Sequence, residues 1–422
     1  MKSKYTVLDM FSGAGGLSEG FFQQGFKFVS HIEKNDHARA TLETRSIYHA
    51  LNNSNNGAIY RDYIYGDLKR DEFIQKFNEL ELPTVGLFQG EVCNSNEESM
   101  IQNIEGQLDG SDNSVDVIIG GPPCQAYSLV GRGRDPKGMK SDPRNYLYKH
   151  YLKFIKKFKP ELFVFENVPG MISAKNGSIY TDLHHAVKKF GYETEAKILN
   201  AKNFSVLQER KRIIFIGWKN DYDFSYPIFP EKPPEEFHVS DILQDLPSLQ
   251  PGEGTDYPVD YKMPFSDASF YLRKFKIRRK DDKLIQHRAR IHNSQDRKIY
   301  ELVISKWNHD KTRLKYTDLP PELQSHNNKN AFLDRFKVVN MNGYSHSVVA
   351  HIAKDGHYFI HPDLEQIRSL TVREVARIQS FPDNYKFEGP RTSQYSQIGN
   401  AVPPLMANGI AVEIKKMLNE IL

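Results

Sequence analysis

Short apolar runs alternate with amphipathic, helix-like stretches through about the first 220 residues of the chain. This pattern is typical of an α/β fold, in which helices cover a mostly parallel sheet. A first helix is predicted from Gly16 to Gly25, because Leu17 and Phe21 share one helical face and glycine suits a helix end. The predicted strands are Thr6–Leu8, Phe26–Ile32, Tyr63–Tyr65, Val115–Ile119, Leu162–Phe165 and Ile213–Gly217.

Two stretches depart from this alternation before a last helix restores it. Residues 82–114 are rich in small polar and acidic residues, which predicts a surface insertion or mobile loop. Proline-rich sequence after Asp221 opens a longer irregular region. Near the C-terminus an apolar stripe at helical spacing predicts a helix packed on the sheet, formed by Met406, Ile410, Ile414 and Met417. We expect a first domain of residues 1–220 plus 370–422 and a smaller, irregular second domain of residues 221–369.

Residues capable of chemistry stand at the ends of five predicted strands. In open α/β sheets, ligands bind outside the carboxyl ends of the strands, so these residues predict a single pocket. They are the turn Asp9–Gly16, then Glu33, Asp67, Cys124 and Glu166.

The turn after the first strand reads Asp9-Met10-Phe11-Ser12-Gly13-Ala14-Gly15-Gly16. Its glycines allow a sharp turn and close approach to a ligand, ahead of a helix N-terminus. Glu33 follows at a spacing where a carboxylate can bind ribose hydroxyls. Ser18 stands where the full dinucleotide fingerprint has a glycine. The pair alone leaves an NAD site, an S-adenosylmethionine site and a structural turn all open.

Cys124 is one of only two cysteines in the chain. A lone cysteine is usually a small buried hydrophobe. Cys124, however, follows Pro122-Pro123 at a strand end and precedes a loop with Arg132 and Arg134, and positive surroundings favour the nucleophilic thiolate. Cys93 stands in the acidic insertion and lacks this setting.

Two further groups could line the same pocket. Glu166 directly follows apolar sequence, and partial burial there would favour its protonated form and suit a general acid; a solvated strand-end carboxylate is the alternative. Gln208, Arg210 and Arg212 share one face of an extended chain. They could point into the pocket together or form a charged strand entrance that stays in water.

The bulk composition limits the classes of protein. No apolar run reaches the length of a membrane span, and no signal peptide is visible, so neither membrane association nor export is expected. The small number of cysteines predicts a reducing, cytoplasmic location. Net charge is only +4, but eleven Lys and Arg against three Asp stand between Arg273 and Lys298. That stretch is either a solvated charged face or a phosphate-binding stripe.

Taken together and in order, these motifs resemble those of the DNA cytosine-C5 methyltransferases of bacterial restriction–modification systems. The matching segments are Asp9–Gly16, Gly120–Gln125, Glu166-Asn167-Val168, Gln208–Arg212, Thr371–Glu374 with Gln379–Pro382, and Gln397–Pro403. One departure is visible: Ser205-Val206-Leu207 stands where the family usually has Gly-Val-Pro.

The resemblance implies a Rossmann-like, class I S-adenosylmethionine-dependent methyltransferase sheet with residues 221–369 as a target-recognition domain. Cys124 would attack cytosine C6, Glu166 would act at N3 and Arg212 would hold O2, with Asn167 and Gln125 in support. The cofactor, released as S-adenosylhomocysteine, would be bound by Phe11, Ser12, Gly13, Gly15, Gly16, Leu17, Glu33, Asp67, Leu68, Pro123, Asn400 and Val402. Contacts to DNA are expected from Ser128, Arg132, Arg210, Arg278 and Arg279.

The resemblance also implies partners and leaves other classes to be tested. Double-stranded DNA is the expected substrate, bound by a monomer near the nucleoid, without a metal and with a restriction endonuclease acting separately. A tRNA-methylating relative would use the same chemistry but typically lacks a large recognition domain. A catalytically silent DNA-binding module would not need Cys124, Glu166 and Arg212. An NAD dehydrogenase would need neither the Pro-Cys nor the Glu-Asn-Val motif.

Overall fold

A computed structural model describes residues 5–108, 114–123, 146–172, 178–325, 330 and 332–421. Its centre is a seven-stranded sheet in the order β3-β2-β1-β4-β5-β8-β6. The strands β1 to β5 run parallel, and β8 runs antiparallel to both of its neighbours. The strands of this sheet are β1 (Thr6–Met10), β2 (Lys27–Glu33), β3 (Gly86–Gln89), β4 (Val117–Gly120), β5 (Leu162–Asn167), β6 (Tyr192–Asn200) and β8 (Lys211–Lys219).

The predicted α/β class is therefore confirmed, and the strand order places a switch point beside β1. The chain leaves β1 for β2 on one side, whereas β4 pairs with β1 on the other. A crevice forms at such a point outside the carboxyl ends of the strands. Paired short strands also occur outside the sheet: β7 (Gln208–Glu209) with β11 (Ser345–His346), and β9 (Gly254–Thr255) with β10 (His287–Arg288).

Helices cover both faces of the sheet and continue into the second half of the chain. The α-helices are α1 (Gly16–Gln23), α2 (Asp36–Asn53), α3 (Gly57–Tyr65), α4 (Arg70–Asn78), α5 (Glu97–Leu108), α6 (Leu147–Phe158), α7 (Ser178–Lys189), α8 (Ser240–Leu243), α9 (Phe270–Lys274), α10 (Ser294–Asp310), α11 (Val372–Ile378), α12 (Arg391–Asn400) and α13 (Pro404–Ile421). In the described ranges, none of these helices combines the length and apolar character needed to cross a bilayer.

The predicted first and last helices are both present and pack against each other. All four members of the stripe Met406, Ile410, Ile414 and Met417 are buried in α13. A Cβ at Gly20 of α1 would lie 2.3 Å from a backbone atom of Ala407, so only glycine allows this close crossing.

The third predicted strand is wrong. Tyr63–Tyr65 belongs to α3, where Tyr60, Tyr63 and Ile64 are buried at helical spacing against α2 and α4. A run of tyrosines suggested a strand by propensity alone, but burial on one helical face decided the local structure. The real third strand is β3, at the sheet edge beside β2.

The expected insertion of residues 82–114 is also wrong over its described part, because it supplies β3 and α5. Met100, Ile101 and Ile104 of α5 are buried in one apolar cluster with β1 and β4 residues. The many polar residues of this segment led to the prediction of a loop. Its few apolar residues pack against the sheet.

Residues 221–369 pack with the segment that follows them. One apolar cluster contains Ile242 and Tyr271 together with Val375 of α11 and Ile398 of α12. At its polar centre, Arg377 Nη2 lies 2.6 Å from Asp383 Oδ2, with Asp245 as a second buried carboxylate partner of the same guanidinium. Four aromatic and aliphatic side chains of α10, Ile299, Tyr300, Val303 and Ile304, belong to a separate cluster.

Candidate active site

A cavity of about 910 Å³ lies at the carboxyl ends of the sheet strands. The turn after β1, the ends of β2, β3, β4 and β5, and Arg212 of β8 form one wall. Further lining residues come from 332–358 and from the segment 393–402. The cavity is thus where the switch point of the sheet predicts a ligand site.

The turn between β1 and α1 has the unusual backbone that its glycines allow. Phe11, Gly13 and Gly15 all have left-handed backbones, with φ of 58°, 56° and 79°. A Cβ at Gly16 would lie 2.2 Å from the carbonyl oxygen of Val402, so the turn and the C-terminal segment meet at backbone distance. This contact brings Val402 to the cavity beside the turn.

Glu33, at the end of β2, is held by two backbone amides. Gly13 N–H donates to Glu33 Oε2 over 2.8 Å, and Asn35 N–H donates to Oε1 over 2.7 Å. Burial raises the pKa of the Glu33 carboxyl above its usual value, partly offset by these amides. Glu33 is therefore a fixed acceptor at the cavity wall, with lone pairs left for ligand hydroxyls.

Most of the residues expected to bind the cofactor come together here. The cavity is lined by Phe11, Ser12, Gly13, Gly16, Leu17, Glu33, Pro123, Asn400 and Val402. Gly15 lies within the turn, where a Cβ would come within 2.8 Å of Leu42.

Asp67 and Leu68 do not belong to this wall, which corrects their prediction as cofactor ligands. They follow α3 rather than a strand, and Asp67 N–H donates to the Asp62 carbonyl as the helix ends. The end of β3 brings Gly90, Glu91 and Val92 to the cavity instead. The short apolar pair Leu87-Phe88 before a glycine was the signal in the sequence that could have revealed this strand.

Glu166 and Arg212 form an ion pair across β5 and β8. Arg212 Nε lies 2.8 Å from Glu166 Oε1, with both side chains largely buried. Antiparallel pairing puts Glu166 opposite Ile214, so Arg212 projects from the adjacent end of β8. The sequence left open whether this carboxyl group is partly buried or solvated; the structure shows it largely buried and paired with a guanidinium.

The segment before Cys124 contacts the end of β5, where Glu166 and Asn167 lie. A Cβ at Gly121 would lie 2.6 Å from Glu166 Oε2, so glycine is needed for the chain to pass the carboxylate. Asn167 Nδ2 donates to the Pro122 carbonyl over 3.1 Å, and Pro123 lines the cavity. Cys124 follows directly but lies outside the described residues, as do Gln125, Ser128 and Arg132.

Arg210 has a different role from the DNA contact that was expected. It is fully buried and donates to the carbonyls of Val348, Gly399 (3.1 Å) and Ala401 (2.9 Å). Gln208, on the same face, accepts from Val348 N–H over 2.9 Å. The alternation of the extended chain was read correctly, but these two side chains fasten the cavity wall while Arg212 enters the cavity.

The basic stretch 273–298 is not one continuous stripe. Arg278 is 5% exposed, pairs with Asp245 over 2.9 Å and stacks on Tyr261, so the prediction of a DNA contact is wrong for it. Arg290 is buried as well and donates to backbone carbonyls. Arg279 is exposed and donates to Tyr48 on α2, which leaves its predicted role open.

The irregular region contributes lining residues that sequence reasoning missed. Phe332, Arg335, Val349, His351 and Tyr358 line the cavity. No motif marks these positions, because their place beside the cavity depends on how the irregular region folds back over the sheet.

Comparison with known proteins identifies the family of this chain. The family model described as C-5 cytosine-specific DNA methylase matches residues 77–416. The chain is 41% identical to the type II methyltransferase M.Bpa9945I of Bacillus paralicheniformis, covering 98% of this chain and 99% of that protein. It is 32% identical to the type II methyltransferase M.DdeI of Desulfomicrobium norvegicum, covering 97% and 88%.

Solved structures agree on the fold. The Dnmt2 methyltransferase of S. pombe superimposes with a TM-score of 0.52 at 15% identity, covering 99% of both chains. An E. coli protein described as a DNA modification methyltransferase encoded within a prophage gives a TM-score of 0.66 at 23% identity, covering 99% of this chain and all of that one. With the family model and the curated relatives, the cavity thus belongs to a member of the C-5 cytosine-specific DNA methylase family, and the chain is a DNA (cytosine-5-)-methyltransferase.

Proposed function

We propose that the chain transfers a methyl group from S-adenosylmethionine to C5 of a cytosine flipped out of a specific duplex DNA sequence, through a covalent bond between Cys124 and C6. The observation that carries this proposal is the Glu166–Arg212 ion pair, 2.8 Å long, at the cavity wall where Asn167 ties down the segment leading to Cys124. The proposed acid, Glu166, and the cation Arg212 thus lie beside the segment that leads to the proposed nucleophile.

Cytosine C5 is too weak a nucleophile to be methylated directly, which is why covalent catalysis is needed. The Cys124 thiolate adds to C6, and Glu166, acting in its carboxylic acid form, gives its proton to N3, so that the π-electron pair of the C5–C6 double bond becomes available at C5. Bound S-adenosylmethionine supplies an electrophilic methyl group. Loss of the C5 proton and expulsion of the thiolate then restore the aromatic ring, and the N3 proton returns to Glu166.

Arg212 has two tasks in this scheme. Its guanidinium holds Glu166 in place before the substrate arrives, and its remaining N–H groups are available for the cytosine O2. Asn167 keeps the Pro122-Pro123 segment at a fixed distance from β5, which limits the positions open to the next residue, Cys124. Gln125 is proposed to support the same segment.

The residues of the cavity fit S-adenosylmethionine. Glu33 is anchored by backbone amides and suits ribose hydroxyls, Phe11 offers a ring for the adenine, and Asn400 and Val402 close the methionine end. We assign the adenine edge to Gly90–Val92 in place of Asp67, because this segment follows β3 and lines the cavity.

The cytosine must leave the duplex for this reaction, since C6 is inaccessible in a stacked base pair. Residues 221–369 are proposed as the target-recognition domain, with duplex DNA lying between it and the sheet wall. Ser128, Arg132 and Arg279 remain proposed DNA contacts. We also propose that the enzyme acts as a monomer. The names of its relatives as type II methyltransferases support a role as the modification partner of a separately acting restriction endonuclease.

Methylation mapping tests the proposal directly. Purified protein is incubated with plasmid DNA and S-adenosylmethionine, and bisulfite-type sequencing locates 5-methylcytosine. We expect complete methylation of one cytosine within one short sequence. No 5-methylcytosine with the wild-type protein, or methylation of tRNA in place of duplex DNA, would refute the proposed function.

A further inference from the structure

The cavity that contains the catalytic pair also has an exposed aromatic ring in its lining. Phe332 is 52% exposed and lines the same cavity as Glu166 and Arg212. A phenylalanine ring gains free energy when it is covered, so an exposed one in a binding cavity indicates a surface that a ligand covers. Val349, 40% exposed, lines the same cavity and adds to its apolar character.

The backbone around Phe332 is held in place by hydrogen bonds, and this fixes the position from which the ring projects. Its φ is 54°, a left-handed conformation that is an outlier for a bulky residue. Its carbonyl accepts a hydrogen bond from Arg335 Nε over 3.0 Å, and the next carbonyl, of Leu333, accepts one from Tyr316 N–H over 2.6 Å. Tyr316 is buried in an apolar cluster, so the ring projects from a segment anchored in the fold. Strained backbone that surrounding contacts maintain is common where a ligand is bound.

Positive charge accompanies the ring. The Arg335 guanidinium stacks on Tyr316, 3.9 Å from the ring centroid, and also lines the cavity. A cation and an exposed aromatic ring side by side suit nucleic acid, because the cation attracts phosphate and the ring stacks on bases. Because Glu166 and Arg212 line the same cavity, the occupant that fits this ring and cation is the substrate duplex.

We propose that Phe332 inserts into the base stack of the duplex and occupies the space that the target cytosine leaves when it moves toward Glu166 and Arg212. The inference rests on the proposed function. Apolar side chains inserted between bases compensate part of the cost of unstacking. Phe332 touches no reacting atom; it stabilises the extrahelical position of the base, while the chemistry stays with Glu166 and Arg212.

The variant Phe332→Ala tests this role, with Phe270→Ala as the matched control. Phe270 is an equally exposed phenylalanine, at 58%, in the same half of the chain and is not part of the cavity wall. On the mapped target duplex, we expect F332A to lower kcat/KM about tenfold, the scale of one lost stacking contact. F332W should retain activity, and F270A should match the wild type.

A flipping readout separates this role from a structural one. A duplex with 2-aminopurine at the target position becomes fluorescent when that base leaves the stack, and F332A should reduce the signal. A mispaired target is cheaper to extrude, so the F332A defect should shrink on mispaired DNA. An equal loss of kcat/KM on paired and mispaired duplexes would overturn this inference. Normal fluorescence and a normal rate in F332A would overturn it as well, and with an active wild type neither result would affect the proposed function. An inactive wild type would instead refute the proposed function beneath it.

Discussion

Glu166 and Arg212 face each other across two antiparallel strands, with Arg212 Nε 2.8 Å from Glu166 Oε1. Each residue is therefore already paired before cytosine enters the cavity. A proton-transferring group must lie within hydrogen-bonding reach of its substrate, and a bound guanidinium fixes the carboxylate for that purpose. In the proposed mechanism this pairing positions the carboxyl group before the base arrives.

The first prediction concerns the nucleophile. Cys124→Ser should abolish methylation, because a serine hydroxyl is far less ionised than a thiol near neutral pH, while DNA and cofactor binding remain. A radiolabelled methyl-transfer assay beside a DNA-binding measurement would test both statements. A Cys93→Ser control should retain full activity. Turnover by the C124S protein would contradict the covalent step.

Trapping gives a second and independent view of the same step. With 5-fluorocytosine at the target position, fluorine cannot leave as a proton does, so the wild type should remain covalently bound to DNA. A denaturing gel should show the adduct only when S-adenosylmethionine is present. The C124S protein should give none, whereas a wild type that forms no adduct at a confirmed target would speak against the mechanism.

Replacing Arg212 should damage the chemical step more than it damages the fold. Arg212→Ala removes the partner of Glu166 and the proposed contact to cytosine O2, so we expect kcat to fall by about 100-fold or more. Arg212→Lys should recover little, since an ammonium group cannot copy the guanidinium geometry. Steady-state kinetics beside thermal unfolding would distinguish this result from simple misfolding, which would lower both together.

Substitutions of the neighbours Arg278 and Arg279 should affect the stability of the fold and the binding of DNA differently. Arg278→Ala removes a buried partner of Asp245 and the stacking on Tyr261, so the free energy of unfolding should fall by about 2 kcal/mol. The salt dependence of DNA binding should not change, because the side chain is 5% exposed. Denaturant titration and binding at several salt concentrations measure these effects, and Arg279→Ala serves as the exposed neighbour. An R278A protein with unchanged stability and a weaker salt dependence of DNA binding would contradict this prediction and support a phosphate contact by Arg278.

Acidification should destabilise the protein through His361. Burial, followed by the charge of Arg368, lowers the pKa of His361 to about 4. Because the folded value lies below the unfolded value, this histidine contributes stability above the unfolded pKa near 6.5, and the contribution is lost as pH falls toward 4. The loss amounts to roughly 3 kcal/mol at most. His361→Gln should flatten the decline in unfolding free energy between neutral and acidic pH, and an unchanged slope would contradict this.

The sequence alone predicted the family and the α/β class, because both depend on motifs and on the alternation of strands and helices. The turn Asp9–Gly16, Glu33 and Glu166 meet at one cavity, as the alternation of strands and helices indicated. The third strand was misassigned because its few apolar residues are hidden in polar sequence. The tyrosines of α3 form a helical face that only packing against α2 and α4 reveals.

Tertiary structure decided which charged side chains face the ligand. Arg210 and Arg212 are two positions apart on one extended face, yet Arg210 is buried by carbonyls from Val348, Gly399 and Ala401, while Arg212 pairs with Glu166. Those carbonyls come from residues 138 to 191 positions away in the chain. The sequence therefore determined that arginines were present at this strand. Whether each one binds backbone or substrate depends on distant segments that fold over it, because a guanidinium is buried only where acceptors surround it.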